Sequence, residues 1–264
     1  MFQPAMPPKI QYASDLHLEF PANKEFLRRQ PLQAMGEVLV LAGDVVPFAV
    51  IELHQDFFSF LADHFKATYW LPGNHEYYHY DLADKSGVLH EAIRSNVFLV
   101  NNVSVVHEQR KLIFSTLWSH ISPGNLWHIE RGLNDFRYIK YKGHRFSAEV
   151  FNQLHHESLA FIQKEIEAGQ NANTAVFTHY CPTFLNYPAQ YKGDVLNEAF
   201  AVELYELIAS SEISAWVYGH HHTNTPAFNI GNTLLLTNQL GYVDRNEQQT
   251  FESDKVFVFE NSKT

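Results

Sequence analysis

The chain has 264 residues, 45% of them hydrophobic and 18% charged, which excludes a disordered tail or a long coiled coil. Its net charge of −10 counts against sequence-blind binding of nucleic acid, which needs a basic footprint. A single cysteine, Cys181, excludes an intramolecular disulfide. Met1 to Gln11 lacks the basic and apolar regions of a signal peptide. The most apolar stretch, Val38 to Leu53, is cut by Gly43, Asp44 and Pro47 and is too short to span a membrane. The expectation is a cytoplasmic enzyme or binding protein with no membrane partner. No internal repeat, low-complexity tract or linker divides the chain, so a single domain over residues 1–264 is expected.

In chain order, apolar runs predict strands at Ile10–Ser14, Val38–Ala42, Thr68–Leu71, Asn96–Val100, Thr174–Thr178 and Ala215–Tyr218. Hairpins are expected over Val103–Trp118 and Ala227–Thr237, and a last strand over Lys255–Glu260. Helical patterns cover Val50–Phe65, Ala83–Ser95, Ser147–Ala168 and Leu196–Ser211. Alternation of strand and helix in the first half predicts parallel βαβ units. The later hairpins add antiparallel pairs. A mixed sheet, or two packed sheets with helices outside, fits this pattern.

In such folds ligands gather outside the carboxyl ends of the strands. Five strands here end in metal-capable side chains: Asp15-Leu16-His17, Gly43-Asp44, Gly73-Asn74-His75-Glu76, His179, and Gly219-His220-His221-His222. Each alone reads as a cap, a turn or a surface cluster. Together, in an architecture that collects strand ends, they read as one site. If the chain stays extended, residues i and i+2 share a face, which pairs Asp15 with His17 and His220 with His222. The donors are carboxylate, amide oxygen and imidazole, with no thiolate, and so suit Mn, Fe or Zn ions. Asp15, His17, Asp44, Asn74, His179, His220 and His222 are too many ligands for one tetrahedral ion. They suit two ions bridged by a carboxylate, for which Asp44, on a central strand, is the choice. Such a pair attracts phosphate oxygens and can hold a hydroxide for in-line attack.

At this point the residues resemble the calcineurin-like metallophosphoesterase superfamily. Asp15-x-His17, Gly43-Asp44, Gly73-Asn74-His75-Glu76, a lone His179 and Gly219-His220-x-His222 match its five blocks in order. The resemblance implies an α/β fold, a four-layer α/β/β/α sandwich of two mixed β-sheets flanked by helices. It implies one ion on Asp15, His17 and His222, a second on Asn74, His179 and His220, and Asp44 bridging both. It makes His75 the residue that contacts the scissile phosphate or protonates the leaving group. Glu76 is expected in a supporting or folding role.

Departures from the family pattern narrow the reading. Gly43-Asp44 is followed by Val45-Val46-Pro47, where many relatives carry a further Asp and the protein Ser/Thr phosphatases carry Asp-Arg. Gly73 to Tyr78 and Asn134-Asp135-Phe136-Arg137 look closer to a smaller bacterial group of similar length. Many of those end in Asn-Pro-Arg-Gly-Tyr, where this chain has Asn238-Gln239-Leu240-Gly241-Tyr242. The lost arginines favour a phosphodiester over a monoester. Residues 119–146 are rich in aromatic and basic groups and form a candidate lid or specificity insertion, with Asn134 and Arg137 as candidate substrate contacts; a polar surface loop is the plain alternative. His120 is a weaker candidate for approach to the metals. Cys181 reads as core, and Tyr77, Tyr78 and Tyr80 as packing or rim residues.

The leading expectation is a binuclear metal-dependent phosphoesterase acting on a small soluble phosphate ester. A nuclease is the alternative within enzymes, and a non-catalytic scaffold of the same fold, like a retromer subunit, the alternative outside them. The sequence leaves the substrate, the native metals and the oligomeric state open.

Overall fold

The computed structural model of the chain describes residues 9–168 and 173–259. The first half contains β1 (Lys9–Ala13), α1 (Pro21–Arg29), β2 (Val38–Ala42), α2 (Gln55–His64), β3 (Ala67–Leu71), β4 (Leu89–Arg94), β5 (Val97–Asn101), β6 (Val103–His107) and β7 (Arg110–Ser115). The second half contains α3 (Leu126–Gly132), α4 (Asp135–Tyr138), β8 (Lys140–Tyr141), β9 (His144–Arg145), α5 (Ala148–Glu167), β10 (Thr174–Thr178), α6 (Tyr205–Ser210), β11 (Ala215–Tyr218), β12 (Phe228–Ile230), β13 (Thr233–Thr237) and β14 (Val256–Val258).

Two six-stranded mixed sheets result, in the orders β14-β1-β2-β3-β5-β4 and β12-β13-β11-β10-β7-β6. In each sheet four central strands run parallel and both edge strands run antiparallel. Parallel central strands put their carboxyl ends on one edge of the sheet, which is what the site requires.

Strand periodicity explains the layering. Val38, Val40 and Ala42 of β2 meet Phe114, Phe177 and Val217 of the other sheet in a shared core. Leu39 and Leu41 of the same strand face the opposite way, toward Phe58 and Leu61 of α2. In the second sheet Ile113, Val176 and Trp216 pack against Ile162 and Ile166 of α5 and Ile208 of α6. A strand covered on both faces, such as β2, is therefore apolar at every position. The outcome is the four-layer α/β/β/α sandwich.

Some expected elements take another form. Ala83–Ser95 was expected as a helix but contains a 3-10 turn at Leu82–Lys85 and strand β4, which pairs antiparallel with β5. Gly87, with φ +74°, ends the turn, and the free edge of β5 outweighs a local helical spacing. The expected helix over Leu196–Ser211 is split. Val195–Ala199 is a 3-10 turn, Ala201 bridges to Cys181, and only Tyr205–Ser210 is α-helical. The first part of Val50–Phe65 belongs to a 3-10 turn, Phe48–His54, that leads into α2. The last expected strand is seen as β14, with Glu260 outside the described residues. Residues 119–146 form α3, α4 and the β8–β9 hairpin, anchored in the core by Ile129, Phe136, Ile139 and Phe146.

Candidate metal centre

The carboxyl ends of β1, β2, β3, β10 and β11 lead into Asp15, Asp44, Asn74, His179 and His220. The chain there is not extended, so Asp15 and His17, and His220 and His222, do not meet by strand alternation. Asp15, His17, Asp44, His220 and His222 all adopt left-handed φ, between 47° and 82°. Such residues are strained unless the surroundings hold them. They are held by cross-loop backbone bonds: Asp15 N donates to Gly43 O at 2.9 Å, His17 N to Asp44 O at 2.9 Å and Gly219 N to His179 O at 2.9 Å. The side chains converge through these turns rather than through strand alternation.

Glycines make the convergence possible. A Cβ on Gly73 would lie 2.2 Å from Asp44 Oδ1, and one on Gly219 would lie 2.6 Å from Asp15 Oδ2. The Gly that precedes a candidate ligand in these motifs is thus a clearance requirement.

Two donor groups form around a shared Asp44. The first is Asp15, His17, Asp44 and His222; the second contains Asp44, His179 and His220. Asn74 joins the second, with its Oδ1 3.2 Å from His179 Nε2. Facing ligand atoms lie 3.0 Å apart for His17 Nε2 and His222 Nε2, and 3.0 Å for His179 Nε2 and His220 Nδ1. The carboxylate contacts are 3.4 Å (His179–Asp44), 3.5 Å (His222–Asp15) and 3.7 Å (His17–Asp44). An ion with bonds of about 2.1 Å holds neighbouring ligands about 3.0–3.4 Å apart; the second group's contacts fall in that range, and the first group's, from 3.0 to 3.7 Å, are close to it.

The far side of each donor fixes which atom faces inward. His17 Nδ1 donates to Glu19 Oε1 (3.2 Å) and His222 Nδ1 to Glu247 Oε2 (2.7 Å). His179 Nδ1 donates to the Ala42 carbonyl (2.9 Å) and His220 Nε2 to the Ala199 carbonyl (3.3 Å). Asn74 Nδ2 donates to Asp135 Oδ1 at 2.8 Å. Outer partners of this kind set the tautomer and aim of a metal ligand.

The electrostatics of the cluster show where positive charge is wanted. Burial lowers His222, but Asp15 and Glu247 outweigh it and raise it to about 10. Burial likewise opposes His179, which Asp44 raises to about 9. Burial pushes His220 well below the usual range, with His179 adding to the effect. Burial would raise Asp15, yet His222 holds it down to about 2. The buried carboxylates thus favour positive charge at these two imidazoles, where cations would supply it.

His75 lies beside the cluster. Its Nδ1 donates to Glu19 Oε1 at 3.0 Å, its ring stacks on Tyr78 at 4.1 Å, and its Nε2 is 3.4 Å from the Tyr242 hydroxyl. Burial lowers His75, but the Asp44 and Glu19 charges prevail and raise it. Glu76 is fully buried and accepts from Asp44 N (2.9 Å), Val45 N (2.7 Å), Trp70 Nε1 (2.9 Å) and Gly73 N (2.6 Å). Burial and the Asp44 charge push it up to about 8, against the pull of its N–H donors. Its bonds tie the β2 and β3 turns together, away from the donor atoms.

The cluster opens into a cavity of about 890 Å³ lined by His75, Asn134, Tyr138, Tyr187, Tyr242 and Arg245, among others. Asn134 is in its wall. Arg137 is not; its guanidinium donates to the Arg131 carbonyl at 2.9 Å. His120 sits against His155 and His156, outside the cavity. Cys181 is buried, and burial pushes its thiol up to about 12. Tyr77 is core, whereas Tyr78 donates to Asp135 Oδ1 at 2.8 Å. Sequence reasoning missed Glu19, Asp135, Arg245 and Glu247. Asp135 lay inside a motif already singled out and Glu19 two residues beyond another; Glu247 follows a left-handed Asn246 and carried no local signal. Gln239, which stands at the proline position of the Asn-Pro-Arg-Gly-Tyr pattern, accepts from His222 N at 2.7 Å and is fully buried.

No helix among the described residues is long and apolar enough to cross a membrane. An uncharacterized protein of Acanthamoeba polyphaga mimivirus is 29% identical over 261 residues, covering 88% of this chain and 91% of that protein. The structure is similar to that of the phosphopantetheinyl hydrolase from Mycobacterium tuberculosis, with a TM-score of 0.69, 17% identity and 94% of each chain covered. A dimetal phosphatase from Danio rerio gives a TM-score of 0.47 with 13% identity over 88% of each chain. The sequence profile of the calcineurin-like phosphoesterases matches residues 8–224, which takes in all five strand-end motifs, and the chain belongs to that family.

Proposed function

We propose that the protein is a binuclear metal-dependent phosphoesterase that hydrolyses a small soluble phosphodiester. The observation that supports this most is the pair of buried donor groups sharing Asp44. On this reading Asp15, His17, Asp44 and His222 hold one ion of the Mn, Fe or Zn type, and Asp44, Asn74, His179 and His220 hold the other. Two such cations, when bound, supply a nucleophile at neutral pH and positive charge against the phosphoryl oxygens. His75 keeps its Nδ1 proton on Glu19 and delivers a proton from Nε2 to the departing oxygen. Cations nearby disfavour the charged imidazole, which makes this proton easier to give away.

The diester preference rests on the wall of the cavity. Among the described residues its one arginine or lysine is Arg245, stacked 4.9 Å over Tyr242, against Glu19, Asp194, Asp244 and Glu247. A diester carries less charge than a monoester and needs less compensation. The same acidic wall argues against a nucleic-acid substrate.

The test compares bis-p-nitrophenyl phosphate with p-nitrophenyl phosphate, with Mn²⁺, with EDTA, and with His75→Ala. Metal-dependent diester turnover is the expected result, with a partial loss in the variant, because p-nitrophenolate is a good leaving group that needs little help from a general acid. A chain carrying two ions that turns over neither ester overturns the proposal and returns weight to a non-catalytic role.

A further inference from the structure

Asp135 belongs to the segment between β7 and α5, yet its carboxylate reaches the metal centre. It sits in α4, whose Phe136 is fully buried and stacks on Phe146 at 5.5 Å, and whose neighbour Ile139 is buried too. The short helix is therefore fixed by the core, and Asp135, 4% exposed, cannot swing away. Its Oδ1 accepts two hydrogen bonds: Asn74 Nδ2 at 2.8 Å and the Tyr78 hydroxyl at 2.8 Å.

An amide side chain has a donor end and an acceptor end that are nearly the same size. Only the oxygen can serve a cation; the NH₂ turned inward would repel it. Nothing in Asn74 itself selects the orientation. A carboxylate can only accept, so a carboxylate beside Asn74 captures the NH₂ end and turns Oδ1 toward His179 Nε2, 3.2 Å away. The second bond, from Tyr78, saturates Oδ1 and holds the Asp135 rotamer.

We propose that Asp135 is a positioning residue: it orients the Asn74 amide so that the second donor group presents oxygen, not nitrogen, to its ion. This rests on the reading of Asn74 as a ligand given above. It also gives residues 119–146 a role apart from substrate contact, since the segment delivers the group that completes one half of the metal centre.

The experiment uses the full chain, stripped with chelator and titrated with Mn²⁺ alone. Isothermal titration calorimetry and elemental analysis read affinity and ions per chain, and thermal unfolding of the stripped protein checks folding. Wild type is expected to take two ions. Asp135→Asn offers either an oxygen or an NH₂ to Asn74, so orientation is lost and one ion weakens by about 10–100-fold while the other is unchanged. The decisive variant is Asn74→Asp combined with Asp135→Asn. The bond between positions 74 and 135 is then kept with donor and acceptor exchanged, which protects folding, and a carboxylate at 74 presents oxygen whichever way it turns. This double variant is expected to bind two ions within a few-fold of wild type.

Asp135→Asn with wild-type affinity for both ions overturns the proposal. So does a double variant that loses the same ion as Asp135→Asn alone, because the loss is then independent of the orientation of residue 74. Both of these results leave two ions on the wild-type chain and so leave the proposed function standing. A wild-type chain that binds no Mn²⁺ overturns both readings.

Discussion

The two donor groups share Asp44 but are backed differently. In the first, both imidazoles lean on side-chain carboxylates: His17 on Glu19 and His222 on Glu247. In the second, both lean on backbone carbonyls: His179 on Ala42 and His220 on Ala199. A carboxylate partner raises the basicity of an imidazole and titrates; a carbonyl partner fixes direction without adding charge. The first group is therefore the one whose affinity side chains can tune. The second is set by the path of the backbone, with Asp135 on Asn74 as an adjustable side-chain partner. The first group is also the one wired to His75, because Glu19 Oε1 accepts from both His17 and His75.

The largest effect should come from removing what the groups have in common. Asp44→Ala takes a carboxylate from both, and it leaves His17 and His179 without their 3.7 Å and 3.4 Å partners. Loss of both ions and of all metal-dependent turnover is expected, read by elemental analysis beside the assay. A variant that keeps one tight ion would show that the groups are independent, not bridged.

Next in size is His75→Ala. General acid–base groups contribute about 10²- to 10⁴-fold, so kcat on an ester with a poor leaving group should fall by that much. An ester with a good leaving group should fall less, and both ions should stay bound. An equal loss on both esters would mean that His75 serves binding rather than proton delivery.

How much of this contrast was legible in the sequence follows from what generates each part. The central strands were readable because coverage on both faces leaves short runs that are largely apolar, wholly so in Val38–Ala42. The seven candidate ligands were readable because each closes such a strand or follows it within a few residues. Their backbone conformation was not: left-handed φ at Asp15, His17 and Asp44 depends on bonds between loops that are remote in sequence. Edge strand β4 was misread as a helix because its pairing with β5 is a tertiary fact, invisible in a local spacing. The backing residues divide in the same way. Glu19 lies two residues from His17 and Asp135 inside a noticed motif, while Glu247 reaches His222 across 25 residues. The carbonyls of Ala42 and Ala199 have no sequence signature at all.

Glu247→Gln separates the two groups at a smaller scale. The amide keeps the size of the side chain but loses the charge that faces His222 Nδ1 at 2.7 Å, and Tyr242 N loses a charged acceptor at 2.7 Å. Affinity for one ion should drop by about 10–100-fold, with the other unchanged. Calorimetry with Mn²⁺ reads this as two separated binding steps. A uniform weakening of both steps would mean that the backing of one group is felt by the other through Asp44, so that the two groups act as one.

The smallest effect is on stability and depends on pH. In the ion-free protein His179 is raised to about 9 and His222 to about 10. A histidine whose folded value lies above its unfolded one binds its proton more tightly when folded. Its stabilising effect is complete below the unfolded value, near 6.5, and is lost as pH rises through about 9 for His179 and about 10 for His222. The chelator-treated chain should therefore melt at lower temperature at pH 10 than at pH 7, by about 2–4 °C for each kcal/mol lost. Acid has the opposite sign for Asp15, held down to about 2, whose contribution disappears only as pH falls through that value. Bound Mn²⁺ replaces the imidazole protons and should flatten the alkaline loss. Glu247→Gln removes part of what raises His222 while leaving His179 alone, so it should soften the part of the loss near pH 10 and spare the part near pH 9. A chelator-treated chain whose melting temperature is level from pH 7 to pH 10 would show that the two groups are not held together by shared protons when the ions are gone.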